Sequence, residues 1–382
     1  MNKLSNISIG GFRRLEHIDL EVRPLMVMIG ANGVGKSSIL DAIMLLSGSA
    51  AGELSTTLSN LGGIASVLTR DYTGDLYVAA SLPVPAHSDL EYELHVAPHG
   101  TGYSIVREML SQDQGDPRGP FKHIDSVPGS VRYFRPEENR LAQPEWEHNL
   151  AETALSQVPK MYRQPEELRR VLSTATLYHV LDVGPRAPIK LPQQMKPALL
   201  PGPDGEDLVP YLYYMRESDP SRFSTVVDSI TAAFQGFESL SFPPIAAGTL
   251  AMTWKERSFT KPLYMNELSE GTLRFLWLVS LLQSPSLSTI TMIDEPEVSL
   301  HPELLSLLAD LMREASRRTQ LVVATHSDRL VRFLNPSEVV VLDIGEDGAA
   351  TATWADRLDL DSWLGEYTLD DVWRMGRMGG RA

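Results

Sequence analysis

The sequence has no cysteine, which excludes disulfides, thiolate metal sites and a cysteine nucleophile and fits a reducing, cytoplasmic setting. It has no long hydrophobic run. The stretch Leu273 to Leu282 is broken by Arg274 and Ser280 and falls well short of the roughly 20 residues a membrane span needs. No charged n-region followed by an apolar h-region opens the chain, so export is not expected. Basic residues are also in deficit: 34 Lys and Arg against 49 Asp and Glu give a formal charge of −15. That balance argues against a protein that coats nucleic acid non-specifically, and leaves only a local basic groove for DNA. Internal repeats and heptads are missing as well. What remains is 382 residues with 43% hydrophobic and 22% charged side chains, a composition that folds as one large composite domain or two smaller ones.

The first 50 residues read as three strands, a loop and a helix. Ile18, Leu20 and Val22 alternate with polar neighbours, the period-2 sign of a half-buried strand. Leu25 to Ile29 is a continuous apolar run, as in a strand covered on both faces. Ile39, Leu40, Ile43 and Leu46 then fall at helical spacing, with Gly48 as the expected stop. Antiparallel strands follow from about 74 to 135, where Leu90, Tyr92, Leu94 and Val96 alternate strictly and Pro98 to Gly102 forms a turn. The pattern over 152–182 is helical, with Leu168, Val171, Leu172 and Ala175 on one face. Seven prolines between Pro185 and Pro210 predict an exposed, mobile loop or lid. A helix around Phe223 to Phe234 and a strand in which Leu250, Met252 and Trp254 alternate come next. The last third returns to α/β, with helices predicted at 269–283 and 302–316 and buried strands at 289–293 and 321–325.

Four stretches carry chemistry. Gly30-Ala31-Asn32-Gly33-Val34-Gly35-Lys36-Ser37, followed by Ser38, fits G-x-x-x-x-G-K-[ST] between a buried strand and a helix. Its glycines let backbone N–H groups wrap phosphates at a helix N-terminus. Lys36 would reach the β- and γ-phosphates of ATP, and the Ser37 hydroxyl would coordinate Mg²⁺. Thr289 to Glu295 is an apolar strand ending in two carboxylates. Asp294 would hold Mg²⁺, and Glu295 would orient or deprotonate the attacking water. Leu321 to Ser327 ends a further buried strand at His326, placed to report the γ-phosphate. Leu268-Ser269-Glu270-Gly271-Thr272 opens an apolar helix. It reads either as a plain serine N-cap or as an anion-binding helix start.

These elements, in this order, resemble an ABC-type ATPase head. Asp294-Glu295-Pro296-Glu297-Val298-Ser299-Leu300-His301-Pro302 is similar to the RecF/SMC-related ATPases, and most of all to the ABC-like AAA-type ATPases that also form the N-terminal half of OLD-family nucleases. Gly11 to Leu15 resembles the opening of RecF and SMC heads, and Leu268 to Leu276 their signature helix. The resemblance implies an α/β P-loop NTPase head with an antiparallel β subdomain and a helical insertion or lid. It divides the chain into an N-terminal lobe (1–150), a helical insertion (151–265), a C-terminal lobe (266–345) and a tail (346–382). It also implies a homodimer sandwiching ATP, with Ser269 and Gly271 reaching the partner's γ-phosphate, Arg13 near the nucleotide and residues 297–302 at the dimer contact. His301 has a structural place there.

Two features depart from that pattern. The signature carries Glu270 where a glycine is usual, so its side chain must turn away from phosphate. No glutamine marks the usual Mg²⁺-sensing loop, for which Tyr133 to Glu137, through Arg135 or Glu137, is the nearest substitute. A Toprim nuclease domain is not expected in the residues after His326, and the basic stretch Trp373 to Arg377 reads as a frayed tail. The functional expectation is ATP hydrolysis driving a dimer switch, coupled to a protein effector encoded nearby or to DNA, in anti-phage defence or DNA repair. The alternative is the ATP-binding subunit of a membrane transporter.

Overall fold

The computed structural model describes residues 3–70, 74–117, 119–345 and 348–379. In chain order, the elements that matter here begin with β1 (Asn6–Phe12), β2 (Leu15–Glu21), β3 (Leu25–Ile29) and α1 (Lys36–Ala51). Next come β4 (Leu76–Leu82), β5 (Leu90–His99), β6 (Gly102–Gln112), β7 (Phe121–Ser126), β8 (Tyr133–Arg135) and β9 (Arg140–Ala142). The middle holds α2 (Arg163–Leu172), β10 (Thr176–Tyr178), α3 (Leu208–Ser218) and α4 (Pro220–Ala233). The last part holds α5 (Glu270–Leu282), β11 (Ile290–Asp294), α6 (Leu305–Ser316), β12 (Gln320–Ala324), β13 (Val339–Ile344), β14 (Ala350–Trp354) and α7 (Leu369–Arg374).

Two large sheets result. One is antiparallel in the order β2-β1-β4-β5-β6-β7-β8-β9, and the other runs β10-β11-β12-β3-β13-β14. In the second, every pairing from β10 to β13 is parallel and only β14 joins antiparallel. The parallel strands therefore all end at one edge, which is where such sheets hold ligands.

The reason the central strands read as unbroken apolar runs is visible in β3. Leu25, Val27 and Ile29 face one core with α5 and α6, while Met26 and Met28 face a second core with α1 and the antiparallel sheet. β12 divides in the same way, Leu321 and Val323 against Val322 and Ala324. A strand buried on both faces has no position for a polar side chain until it reaches the sheet edge. Among the described residues no helix is long and apolar enough to cross a membrane.

Several expectations change. α1 runs through Gly48 and stops at Gly52, whose φ of 80° supplies the left-handed cap. The predicted helix over 152–182 resolves into a short turn of helix, then α2, then β10, which pairs with β11. The Leu250 to Trp254 alternation is split between two three-stranded sheets, although Leu250, Met252 and Trp254 are each 1% exposed. The proline-rich segment is not a detached lid. Gln193 donates to the carbonyls of Pro188 and Gly205 and accepts from the Val209 N–H, and the Trp277 indole donates to the Gly202 carbonyl. The 373–377 stretch is not frayed either: Trp373 and Met378 lie in the core, and Arg374 pairs with Asp328 at 3.0 Å.

Candidate functional site

The parallel edge gathers the residues singled out by sequence. β3 leads into Gly30, whose φ of 146° and close approach to the Leu342 carbonyl leave no room for a side chain: a Cβ there would lie 2.4 Å from that oxygen. Gly33, at φ 78°, faces open space instead, and with Asn32 it forms the exposed crest of the loop. Gly35 closes the loop at φ 121°, and no side chain caps α1. The first-turn N–H groups of α1 are thus left for an anion. Ser37 is exposed on that first turn, while Ser38 is buried.

Lys36 is 5% exposed, and its ammonium spends its donors within the site. It donates to the carbonyls of Gly30 (2.5 Å) and Ala31 (3.1 Å) and to His326 Nδ1 (3.2 Å). Burial lowers its pKa to about 8, against the opposing pull of Glu295 and Asp294. His326 Nε2 lies 3.6 Å from Glu295 Oε1. Burial and the Lys36 charge hold the His326 pKa below its ordinary value. A neutral imidazole that accepts from Lys36 at Nδ1 carries its proton on Nε2, facing the Glu295 carboxylate. Asp294 is pushed up by burial and then by Glu295 beside it.

Around this cluster the chain is tied inward. The Glu295 N–H donates to the Ala324 carbonyl at 2.8 Å, and Thr325 Oγ1 donates to Glu297 Oε1 at 2.5 Å. Glu297 therefore faces the end of β12 rather than outward, and burial raises its pKa. Arg13 stands beside α1 but is engaged by Asp41, one turn beyond Ser37, at 2.5 Å.

Ser269 and Gly271 lie apart from the cluster. Ser269 Oγ accepts from the Thr272 N–H (3.1 Å) and bonds the Thr272 hydroxyl (2.7 Å), the plain N-cap arrangement. Glu270 turns back along α5 towards Arg274 at 3.9 Å. A Cβ on Gly271 would lie 2.6 Å from the Ser299 carbonyl oxygen, so this glycine admits the 297–302 segment. In that segment Ser299 and His301 are exposed.

Arg135 sits at the far end of the antiparallel sheet, held by Glu138 and Glu145 (both 2.8 Å), Tyr133 (2.7 Å) and the Gln143 carbonyl (3.0 Å). The side chain beside Asp294 is His179, with Nδ1 3.9 Å from Asp294 Oδ2. Sequence reasoning missed it because β10 is three residues long and lies within a helical pattern. Arg274 was missed too: it bonds the Leu181 carbonyl at 3.2 Å and the Ser299 hydroxyl, joining α5 to both flanking loops.

Among the described residues no three His, Cys, Asp or Glu side chains cluster to hold a metal by themselves. Mg²⁺ takes one or two hard oxygen ligands from a protein and completes its shell with phosphate and water. Ser37 and Asp294 offer such a donor set.

A glycine-rich loop on a helix N-terminus, paired acids and a histidine at neighbouring parallel strand ends, and a flanking antiparallel sheet define an ABC-type P-loop NTPase head. Residues 25–332 match the family described as "AAA domain, putative AbiEii toxin, Type IV TA system", and the chain belongs to that family. In fold it is similar to the SMC head bound to the C-winged helix domain of ScpA, at 14% identity and a TM-score of 0.55, over 92% of this chain and 97% of that one. It is also similar to the SMC head of Pyrococcus furiosus with an extended coiled coil, bound to the C-terminal domain of ScpA. That match has 13% identity and a TM-score of 0.50 and covers 92% and 96% of the two chains. No curated protein matches the chain in sequence. The chain thus carries an AAA domain of that family on a fold shared with SMC heads.

Proposed function

We propose that this chain hydrolyses ATP and uses the nucleotide to close and open a homodimer. The observation that carries the reading is the meeting of Lys36, Asp294, Glu295 and His326 at one sheet edge, beside an uncapped helix N-terminus. On this reading Gly30, Asn32, Gly33 and Gly35 wrap the phosphates, with Ser38 supporting them from the first turn of α1. Lys36 moves from its loop carbonyls onto the β- and γ-phosphates. Ser37 and Asp294 hold Mg²⁺, which supplies charge neutralisation at the phosphates. Glu295 takes the proton of the attacking water, and the Nε2–H of His326 steadies the γ-phosphate side of the site. Arg13 borders the nucleotide through Asp41 and α1.

The signature face supports a second copy as partner. Ser269 and Gly271 touch none of the cluster in their own chain, yet they stand at an exposed helix N-terminus, where a facing copy can present a phosphate. The lobes at 1–150 and 266–345, the insertion at 151–265 and the tail at 346–382 then work as one head. The family's description as a toxin of a type IV toxin–antitoxin system favours a protein effector in defence over repair, with DNA as a second candidate partner.

The test is phosphate release by the purified chain with Mg²⁺, combined with Glu295→Gln. That variant keeps the groups that hold nucleotide and metal but loses the base, so hydrolysis falls by roughly a hundredfold or more. The closed form then accumulates, and light scattering after size exclusion detects an ATP-dependent dimer. A variant that hydrolyses ATP at the unaltered rate would overturn the role of Glu295. A variant that stays monomeric at saturating ATP would overturn the cross-subunit role of Ser269 and Gly271.

A further inference from the structure

We propose that His179 is a positioning residue for the metal-holding carboxylate: it orients Asp294 from the neighbouring strand, in the place for which the sequence offers no glutamine. This rests on the ATPase reading above and extends it to a residue that no motif marks. The placement comes first from the backbone. β10 pairs with β11 in parallel register, Thr176 with Thr291, Leu177 with Met292 and Tyr178 with Ile293. Continued by one residue, that register sets His179 level with Asp294. The side chains agree, with Nδ1 3.9 Å from Asp294 Oδ2. No hydrogen bond joins them at that distance; in working sites such contacts often tighten once ligand arrives.

His179 is also fixed from behind. Tyr178 is 2% exposed and stacks edge-on against Trp277. Two residues after His179, the Leu181 carbonyl is gripped by Arg274, whose other nitrogen holds Ser299. The backbone at 179 is thus held between a paired strand and an anchored carbonyl, the support from which a positioning group can act. The crevice between His179, Arg274, Trp277 and Asp294 has only about 10 Å³ of free space. That leaves room for about one water between the imidazole and the carboxylate. Its own exposure of 72% and the lack of a core role mean that fold stability does not explain it. A carboxylate that ligates a metal is typically held by an outer partner, whose loss costs roughly 10–100-fold in metal affinity.

The experiment measures binding of a fluorescent ATP analogue to the full chain while Mg²⁺ is titrated, and separately in EDTA. His179→Leu should raise the Mg²⁺ concentration needed by roughly tenfold and leave binding in EDTA unchanged. His179→Asn, whose amide nitrogen overlays Nδ1, should restore most of the loss. In an Asp294→Asn background, His179→Leu should add nothing, because the effect runs through Asp294. An unchanged Mg²⁺ requirement in His179→Leu, or an equal loss in the Asp294→Asn background, would overturn the proposal while leaving the ATPase reading intact. If the unaltered chain binds no ATP at any Mg²⁺ concentration, the ATPase reading fails, and this role with it.

Discussion

The two faces that the proposed dimer brings together differ in how finished they are. On the phosphate-loop face, Lys36 is buried and bonded to its own loop and to His326, which in turn faces Glu295. On the signature face, Ser269 caps its own helix, Glu270 folds back along α5 and the surface ends in exposed side chains. One face is assembled within a single chain. The other has its polar groups satisfied locally and must exchange those bonds for new ones. On the proposed reading, nucleotide binding and closure are separable steps, and substitutions on the two faces should fail differently.

The largest effect is expected from Lys36→Ala. It removes the charge aimed at the phosphates, so ATP binding weakens strongly and phosphate release disappears, while the far-ultraviolet circular dichroism stays that of the folded chain. Hydrolysis near the unaltered rate would break the comparison at its finished face. Gly271→Ala acts on the other face. Its Cβ would press on the Ser299 carbonyl from 2.6 Å, costing about 1–3 kcal/mol of stability, measurable by urea unfolding. Closure should be lost while ATP binding by the monomer persists, which a fluorescent analogue and light scattering would separate.

A third prediction uses a buried carboxyl remote from both faces. Burial pushes Glu108 up to about 7, although it accepts from the Ala154 and Leu155 N–H groups and the Tyr92 hydroxyl. A raised carboxyl holds its proton in the native state after the unfolded chain has lost it. Its contribution is complete below the ordinary pKa of 4.5 and is lost as pH rises through about 7. Unfolding free energy should fall by at most about 3 kcal/mol between pH 5 and 8. The slope should flatten in Glu108→Gln, and an equal slope in both chains would refute the assignment. The smallest effect belongs to Arg135→Ala. With its guanidinium committed to Glu138 and Glu145, ATP hydrolysis should stay within about twofold of the unaltered chain, as for substitutions away from a site.

Much of this site was legible in the sequence, for a physical reason. Leu25 to Ile29 and Leu321 to Ala324 are buried on both sides, so their apolar runs end where the sheet ends, and the first polar residues beyond them mark the edge where such sheets hold ligands. The phosphate loop, Asp294-Glu295 and His326 all follow that rule. His179 follows it too, but its strand is three residues long and too short for any periodicity to reveal. The proline-rich segment misled for the opposite reason: its order comes from Gln193 reaching Pro188, Gly205 and Val209, contacts that local composition does not encode. Arg135 lies on β8 of the other sheet, with its guanidinium committed to Glu138 and Glu145.

Among the described residues six non-glycine positions have a positive φ, and three of them border the site: Arg13 at 52°, Glu295 at 48° and Ser299 at 62°. A left-handed conformation costs an ordinary residue roughly 1–2 kcal/mol, and Glu295 is kept in it by its N–H bond to the Ala324 carbonyl. Glycine adopts the same angles without that cost. On the role proposed for Glu295, a chain carrying Glu295→Gly would lose hydrolysis, while the relieved backbone offsets the extra freedom that glycine gives the unfolded chain, so a screen for stability alone would not retain the carboxylate. The tension between durability and the proposed turnover lies in the backbone of one residue.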